Sequence, residues 1–162
     1  MAIHKLDFGE FDEIDYSLIA IHTTLEDYRL AYYINQKLNV SLNKSNKEIQ
    51  ITDKEGEVFF SRFHYYDKKK DISWDLIQNI NEVIQHKKED NQSLFANFEI
   101  EVAKKVYMLP EFKKVNYFLK IEDSEEITDL LKIQSELNSI EQITANYVVA
   151  INKIKSKNNL IF

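Results

Sequence analysis

The sequence predicts an α+β domain in which an antiparallel sheet of about 6–7 strands carries two helices packed on one face. Two observations indicate this class: short apolar or alternating segments recur along the chain, and two longer segments carry apolar stripes at helical spacing. Their order, β-α-β-β-β, two more strands, a helix and a strand, favours an elaborated ferredoxin-like arrangement. With 162 residues, 44% hydrophobic and 30% charged, the chain fits one domain, residues 1–162.

The chain begins with an acidic arm, residues 7–15, in which carboxylates alternate with apolar anchors. Tyr16–Thr23 is a nearly continuous apolar run and predicts a buried strand. Thr24 with Asp27 resembles a weak capping box for a helix that extends to about Leu38. The apolar stripe of this helix consists of Leu30, Ala31, Ile34 and Leu38.

A hairpin follows, because residues 47–52 and 57–66 flank a turn in which Gly56 can take the left-handed conformation. Ile72–Gln78 is predicted as a third strand of the same meander. The second arm of the hairpin is unusually aromatic: Phe59, Phe60, Phe63, Tyr65 and Tyr66.

The middle of the chain is less regular. We interpret residues 79–103 as a flexible insertion, a loop with a helical turn and a strand near residues 94–98. Pro110, the single proline, fixes its own φ and removes a backbone donor, so the strand over residues 104–109 should end there. After the turn, residues 115–121 predict another strand.

The last third of the chain supplies the second helix and a final strand. Asp123 with Glu126 forms a capping box, and the apolar stripe that follows is Ile127, Leu130, Leu131, Gln134 and Leu137. Residues 140–149 predict a strand, and residues 155–162 form a C-terminal tail. The apolar end of this tail is expected to pack on the domain, with docking to a partner as the alternative.

The turn around Pro110 resembles a known family motif. Leu109-Pro110-Glu111, three residues, and Val115-Asn116-Tyr117 are similar to the motif of the IPExxxVDY family, which comprises uncharacterised proteins of Bacteroidota. The segments Asp27-Tyr28-Arg29-Leu30 and 155–162 also resemble this family, so the likeness spans most of the chain. Leu109 stands for Ile and Asn116 for Asp, and the latter change disfavours an acid, base or metal role at that position. The resemblance implies no established activity.

Composition excludes several kinds of chemistry. Without cysteine there are no disulfides, thiolate metal sites or cysteine nucleophiles, and two glycines cannot build a Walker or GxGxxG loop. The four histidines have no metal-ligand spacing, so we expect neither a metal nor a cofactor. A net charge of −6 opposes binding to nucleic acid or anionic lipid. The start of the chain lacks the apolar run of a secretion signal, and a cytoplasmic location is expected.

These exclusions leave a non-catalytic protein-protein interaction module as the expected function, with a homodimer as one arrangement. The candidate residues lie in the family-like motifs: Asp27, Tyr28, Arg29, Pro110, Glu111, Tyr117, Leu160, Ile161 and Phe162. Arg29 and Glu111 are hypothesised to pair and to join the first helix to the Pro110 turn. The alternative function is single-stranded RNA binding through the aromatic strand, and an enzyme or small-ligand binder comes third.

Overall fold

A computed structural model of the chain describes residues 15–54, 56–88, 99–123 and 128–162. The acidic arm lies outside these ranges except for Asp15, and the strand predicted near residues 94–98 lies outside them entirely. The elements in chain order are β1 (Tyr16–Thr23), α1 (Asp27–Leu38), β2 (Asn43–Lys44), β3 (Ile49–Asp53), β4 (Gly56–Phe60), β5 (Arg62–Asp67), β6 (Ile72–Gln78), β7 (Ile80–Lys88), β8 (Glu99–Tyr107), β9 (Tyr117–Asp123), α2 (Leu130–Asn138) and β10 (Ile143–Val148).

The main sheet confirms the predicted α+β class. It has six strands in the order β10-β1-β9-β6-β5-β2, and every neighbouring pair is antiparallel. The path β1-α1-β6-β9-α2-β10 through the sheet order β10-β1-β9-β6 is the ferredoxin-like split βαβ arrangement. Strands β5 and β2 extend that sheet, while β3–β4 and β7–β8 form two separate two-stranded sheets.

Both helices cover one face of the main sheet, called the helix face below. Leu30, Ala31 and Ile34 of α1 and Ile133 and Leu137 of α2 are buried against it. The predicted end of α1 at Leu38 is confirmed, but its capping box is wrong, because the N-cap is Glu26 and the Glu26 side chain makes no capping hydrogen bond. Strand residues that complete this core are Ile19, Ile21, Phe63, Ile72, Trp74, Leu76, Tyr117, Leu119 and Ile121.

The second helix starts later than predicted. Its N-cap is Asp129, whose side chain accepts a hydrogen bond from the backbone N–H of Lys132, whereas Asp123 ends β9 and accepts one from the backbone N–H of Thr128. Leu131, predicted on the buried stripe, is 78% exposed. The nine-residue helix buries only a narrow face, which consists of Ile133 and Leu137. The residue at which the helix starts determines which side chains lie on that face.

The predicted aromatic arm over residues 57–66 is two strands rather than one. Ser61 interrupts it, so that β4 pairs with β3 while β5 enters the main sheet. Phe60 is therefore fully buried, Phe63 lies under the helices, and Phe59 remains 45% exposed. The predicted turn before this arm is confirmed, and Gly56 has a φ of 120° there.

The interpretation of residues 79–103 as a loop with a helical turn is wrong where the structure describes them. Strands β7 and β8 pair along nine residues each and form a two-stranded ribbon. Val83 packs into a core while Ile84 is exposed, which is strand alternation. The two segments on either side of Pro110 are strands, as predicted, but they belong to different sheets.

The other face of the main sheet, called the second face below, carries a second core. The β3–β4 hairpin, the base of the ribbon, the Pro110 turn and the C-terminal segment cover it. Its buried residues are Leu18, Ala20, Ile49, Val58, Phe60, Ile77, Val106, Met108, Leu109, Val115, Phe118, Val149, Ile154 and Leu160.

Candidate interaction site

The Pro110 turn is organised by a residue that sequence reasoning missed, the fully buried Asn79. Its side-chain amide donates hydrogen bonds to the carbonyls of Phe112 (2.9 Å) and Val115 (2.8 Å), and its side-chain oxygen accepts one from the backbone N–H of Leu109 (2.9 Å). One side chain thus bonds to three backbone groups of the turn, of which the Phe112 carbonyl also accepts a hydrogen bond from the Val115 N–H (3.1 Å). Nothing in the local pattern signals this role, because the three partners lie 30–36 positions away.

Asn116 and Tyr117 connect the same turn to the start of α1. The Asn116 side-chain oxygen accepts a hydrogen bond from the backbone N–H of Thr23 (3.0 Å), and the Tyr117 hydroxyl donates to the carbonyl of Leu25 (2.8 Å). Burial, with the carboxylates at the start of α1 adding to it, raises the pKa of Tyr117 to about 12. The neutral phenol is therefore favoured in the folded state, and its contribution to stability is lost as pH rises from about 10 towards 12.

Glu111 holds the C-terminal segment. One carboxylate oxygen accepts hydrogen bonds from the backbone N–H groups of Lys155 (2.7 Å) and Ser156 (2.8 Å), and the other accepts one from the Ser156 hydroxyl (3.0 Å). The hypothesis of an Arg29–Glu111 pair is wrong: the two residues form no ion pair, and Arg29 is exposed on α1. The C-terminal segment occupies both Glu111 oxygens instead, one through the backbone N–H groups of Lys155 and Ser156 and the other through the Ser156 hydroxyl.

These contacts make Glu111 a source of pH-dependent stability. Burial alone would raise the pKa of Glu111, but the hydrogen bonds from Ser156 and Lys155 and from its own backbone together lower it. A lowered pKa means that the stabilisation is present above the unfolded-state value and is lost as pH falls through the folded-state value.

We expect Glu111→Gln to lower the free energy of unfolding by about 1 to 2 kcal/mol at pH 7, because hydrogen bonds to a charged acceptor are stronger than those to an amide. Urea unfolding of the wild type and the variant should show this difference shrinking as the pH falls below the ordinary glutamate value of about 4.3 and through the lowered folded-state pKa. Glu141→Gln, at an exposed position, is the matched control. A difference of equal size at pH 7 and pH 3 would contradict the assignment.

The C-terminal residues pack on the domain, as expected, through Leu160 and Phe162. Leu160 is buried and its carbonyl accepts a hydrogen bond from the Lys120 ammonium group (2.9 Å). The Phe162 ring lies 4.7 Å from the Lys120 ammonium and 4.5 Å from the Arg62 guanidinium carbon, so two cations contact one aromatic ring. Ile161 of the same candidate set is 77% exposed.

Beneath Phe162 lies a charged cluster that the sequence analysis also missed. Asp75 is 3% exposed, and its Oδ1 atom accepts a hydrogen bond from Arg62 Nε (2.7 Å) and lies 2.8 Å from His64 Nδ1. His64, Asp75 and Lys120 are cross-strand neighbours on the second face. The sequence feature that could have indicated this cluster is an aspartate inside the apolar strand Ile72–Gln78. In the described part of the chain, no three acidic or histidine side chains are placed to hold a metal ion.

The two edges of the main sheet differ. One edge is β2, which is two residues long and ends at Lys44, whose ammonium group lies 3.7 Å from the Asp27 carboxylate. The other edge is β10, six residues long, and residues 142–150 around it carry no charge. Tyr147 and Val148 of β10 are 40% and 38% exposed. Among the described residues, no strand pairs with the outer side of β10.

Two of the candidate residues of α1, Tyr28 and Arg29, lie on its outer surface. Tyr28 and Tyr32 are one turn apart and both are mostly exposed, with Arg29 beside them. A side-chain hydrogen bond with Glu26 raises the pKa of Tyr28. Tyrosine and arginine are the residue types enriched in protein interfaces, so this stripe has the composition of a contact surface.

No family model, curated protein or solved structure matches this chain. The resemblance to the IPExxxVDY family therefore depends on the quoted motifs alone. None of the helices in the described ranges is long and apolar enough to cross a membrane.

Proposed function

We propose that this protein is a cytoplasmic, non-catalytic interaction module that pairs through β10 with a second copy of itself. The observation that carries this proposal is the contrast between the two edges of the main sheet. Proteins usually protect an edge strand by keeping it very short or by placing a charge on it, and β2 with Lys44 has both features. Strand β10 has neither, although it offers a row of backbone donors and acceptors.

A second copy suits this edge for two reasons. The chain carries a net charge of −6, which opposes self-association elsewhere, but residues 142–150 bring no like charges together. Antiparallel pairing of β10 with its own copy about a twofold axis is isologous, so each copy uses its single β10 edge and the assembly closes at a dimer. The pairing of β1 with β10 is irregular between His22 and Thr23, opposite the start of β10. Residues 145–148 of β10 keep a regular register with β1.

We expect Tyr147→Lys to weaken the dimer by at least about tenfold, because the twofold axis places two added charges at the paired edge. Sedimentation velocity over a concentration series measures this directly. Leu131→Lys is the matched control, since it adds the same charge at an exposed apolar position on α2. Circular dichroism verifies that both variants fold. A wild type that stays monomeric at high concentration, or a Tyr147→Lys dimer of unchanged affinity, would overturn the proposal.

The single-stranded RNA alternative has weaker support. Stacking of bases needs several exposed rings on one sheet, but Phe60 and Phe63 lie in cores, and the exposed Phe59 and Tyr66 belong to different sheets.

An enzyme has weaker support as well. His64 contacts Asp75 and Arg62 and, within the described residues, no hydroxyl that could act as a nucleophile.

A further inference from the structure

A cavity of about 490 Å³ opens on the helix face, between the end of α1, the turn between β5 and β6, and the start of α2. Its apolar lining includes two buried side chains of β6, Ile72 and Trp74, together with Leu38, Val40 and Ile133. The volume falls in the range of small-molecule sites, roughly 300–1,000 Å³. The cavity is separate from β10 and from the charged cluster on the second face.

Three lysines line this cavity: Lys37, Lys70 and Lys132. In the part of the chain that the structure describes, none of the three forms an ion pair. Some of the carboxylates that also line the cavity already accept hydrogen bonds from the protein backbone. Asp67 accepts hydrogen bonds from the backbone N–H groups of Lys69 and Lys70, and Asp129 caps α2. Of the lining carboxylates, Glu136 alone has no hydrogen bond within the described residues. The three ammonium groups equal the three carboxylates in formal charge, but two of the carboxylates already accept backbone hydrogen bonds, whereas none of the ammonium groups has a partner in the described residues.

The position of Lys132 adds to this argument. It lies in the first turn of α2, where the helix dipole disfavours a cation and favours an anion. Lys132 therefore does not stabilise its own helix through the dipole. An anion in the cavity would offset this unfavourable placement.

We propose that this cavity binds a small organic anion with an aromatic or aliphatic body. The body would contact Trp74 and Ile72, and the anionic group would lie among the three lysines. Neither the apolar body nor the anionic group should bind tightly on its own. The apolar area is small, and exposed lysines alone hold an inorganic anion weakly because water and salt screen them.

Trp74 gives a direct test, because it is the single tryptophan of the chain and contributes one indole signal to a ¹⁵N–¹H spectrum. The probe is naphthalene-2-sulfonate, titrated into the full-length protein. Sulfate supplies the anion alone and 2-naphthol the body alone. We expect a saturable shift of the indole signal with naphthalene-2-sulfonate and at least roughly tenfold weaker binding of either half.

Lys132→Gln and Lys37→Gln should each weaken binding of the probe by roughly threefold to tenfold, and added salt should weaken it further. Lys47→Gln is the control, since Lys47 is exposed and does not line this cavity. An indole signal that does not move at millimolar probe would overturn the proposal. So would equal binding by 2-naphthol, or a Lys47→Gln variant that loses as much affinity as Lys132→Gln. Dimer formation through β10 is measured separately and does not depend on this result.

Discussion

Asp75→Ala is expected to lower the free energy of unfolding by about 3 to 5 kcal/mol, the cost of removing one partner from a buried ion pair. Asp75 is nearly inaccessible and pairs with Arg62, whose side chain is itself mostly buried beneath Phe162. Without Asp75, the Arg62 guanidinium and the His64 ring lose their shared acceptor, and Arg62 keeps an uncompensated charge. The variant should therefore unfold at much lower urea.

A double-mutant cycle with Arg62→Ala separates this effect from the loss of packing. If the uncompensated charge dominates, the double variant should lose clearly less stability than the two single losses combined. Asp15→Ala, at an exposed position, controls for the removal of an aspartate. A loss below about 1 kcal/mol for Asp75→Ala would show that the cluster behaves as a surface pair.

Asn79→Ala is the second substitution for which we expect a large effect, on the order of 3 to 5 kcal/mol, because each buried polar group left unpaired costs about 1 to 3 kcal/mol. The change removes the side-chain partners of the Leu109 N–H and the Val115 carbonyl. It also removes one of the two partners of the Phe112 carbonyl, which still accepts a hydrogen bond from the Val115 N–H. All three groups belong to the Pro110 turn, which also carries Glu111. We therefore expect the C-terminal segment to loosen as well.

Hydrogen exchange followed along the chain measures both consequences. In Asn79→Ala, the amides of residues 109–117 and 155–156 should exchange faster than in the wild type, beyond what the global loss of stability explains. Asn46→Ala, in an exposed loop, is the control. Unchanged protection of the Pro110 turn would mean that water or a neighbouring group replaces the lost side chain.

The strands and helices that sequence reasoning located correctly share one property: their burial pattern is regular over the whole element. Tyr16–Thr23 and Ile72–Gln78 are central strands with both faces covered, and continuous apolar runs reveal such strands. The β7–β8 ribbon was missed because much of it is exposed, including residues 100–105 of β8. The apolar residues of the ribbon therefore do not fall on one face of the strand, and the spacing of Ile80, Val83 and Ile84 fits a helix as well as a strand.

For the candidate residues, the local sequence pattern did not determine which groups their side chains contact. Pro110 and Tyr117 are identified through a resemblance. In the structure Pro110 begins a short 3-10 helix, Pro110–Phe112, and the Tyr117 hydroxyl bonds to the Leu25 carbonyl near the start of α1. Glu111 was recognised too, but with the wrong partner. A carboxylate on a turn can accept from any donor that the fold brings close, and the nearest donors come from residues 44 and 45 positions away.

By itself, the sequence determined the class of this protein: an α+β sheet with two helices on one face, a turn at the single proline, and no cysteine or glycine-loop chemistry. Periodicity, turn residues and composition are local properties, so they can be read without coordinates. Only the tertiary structure decided that Asn79 supports the turn, that Asp75 lies buried beside Arg62 and His64, and that β10 lies at an edge of the main sheet where no described strand pairs with its outer side. Side-chain partners and strand neighbours depend on segments distant in sequence, and their burial is set by what the whole fold places above them.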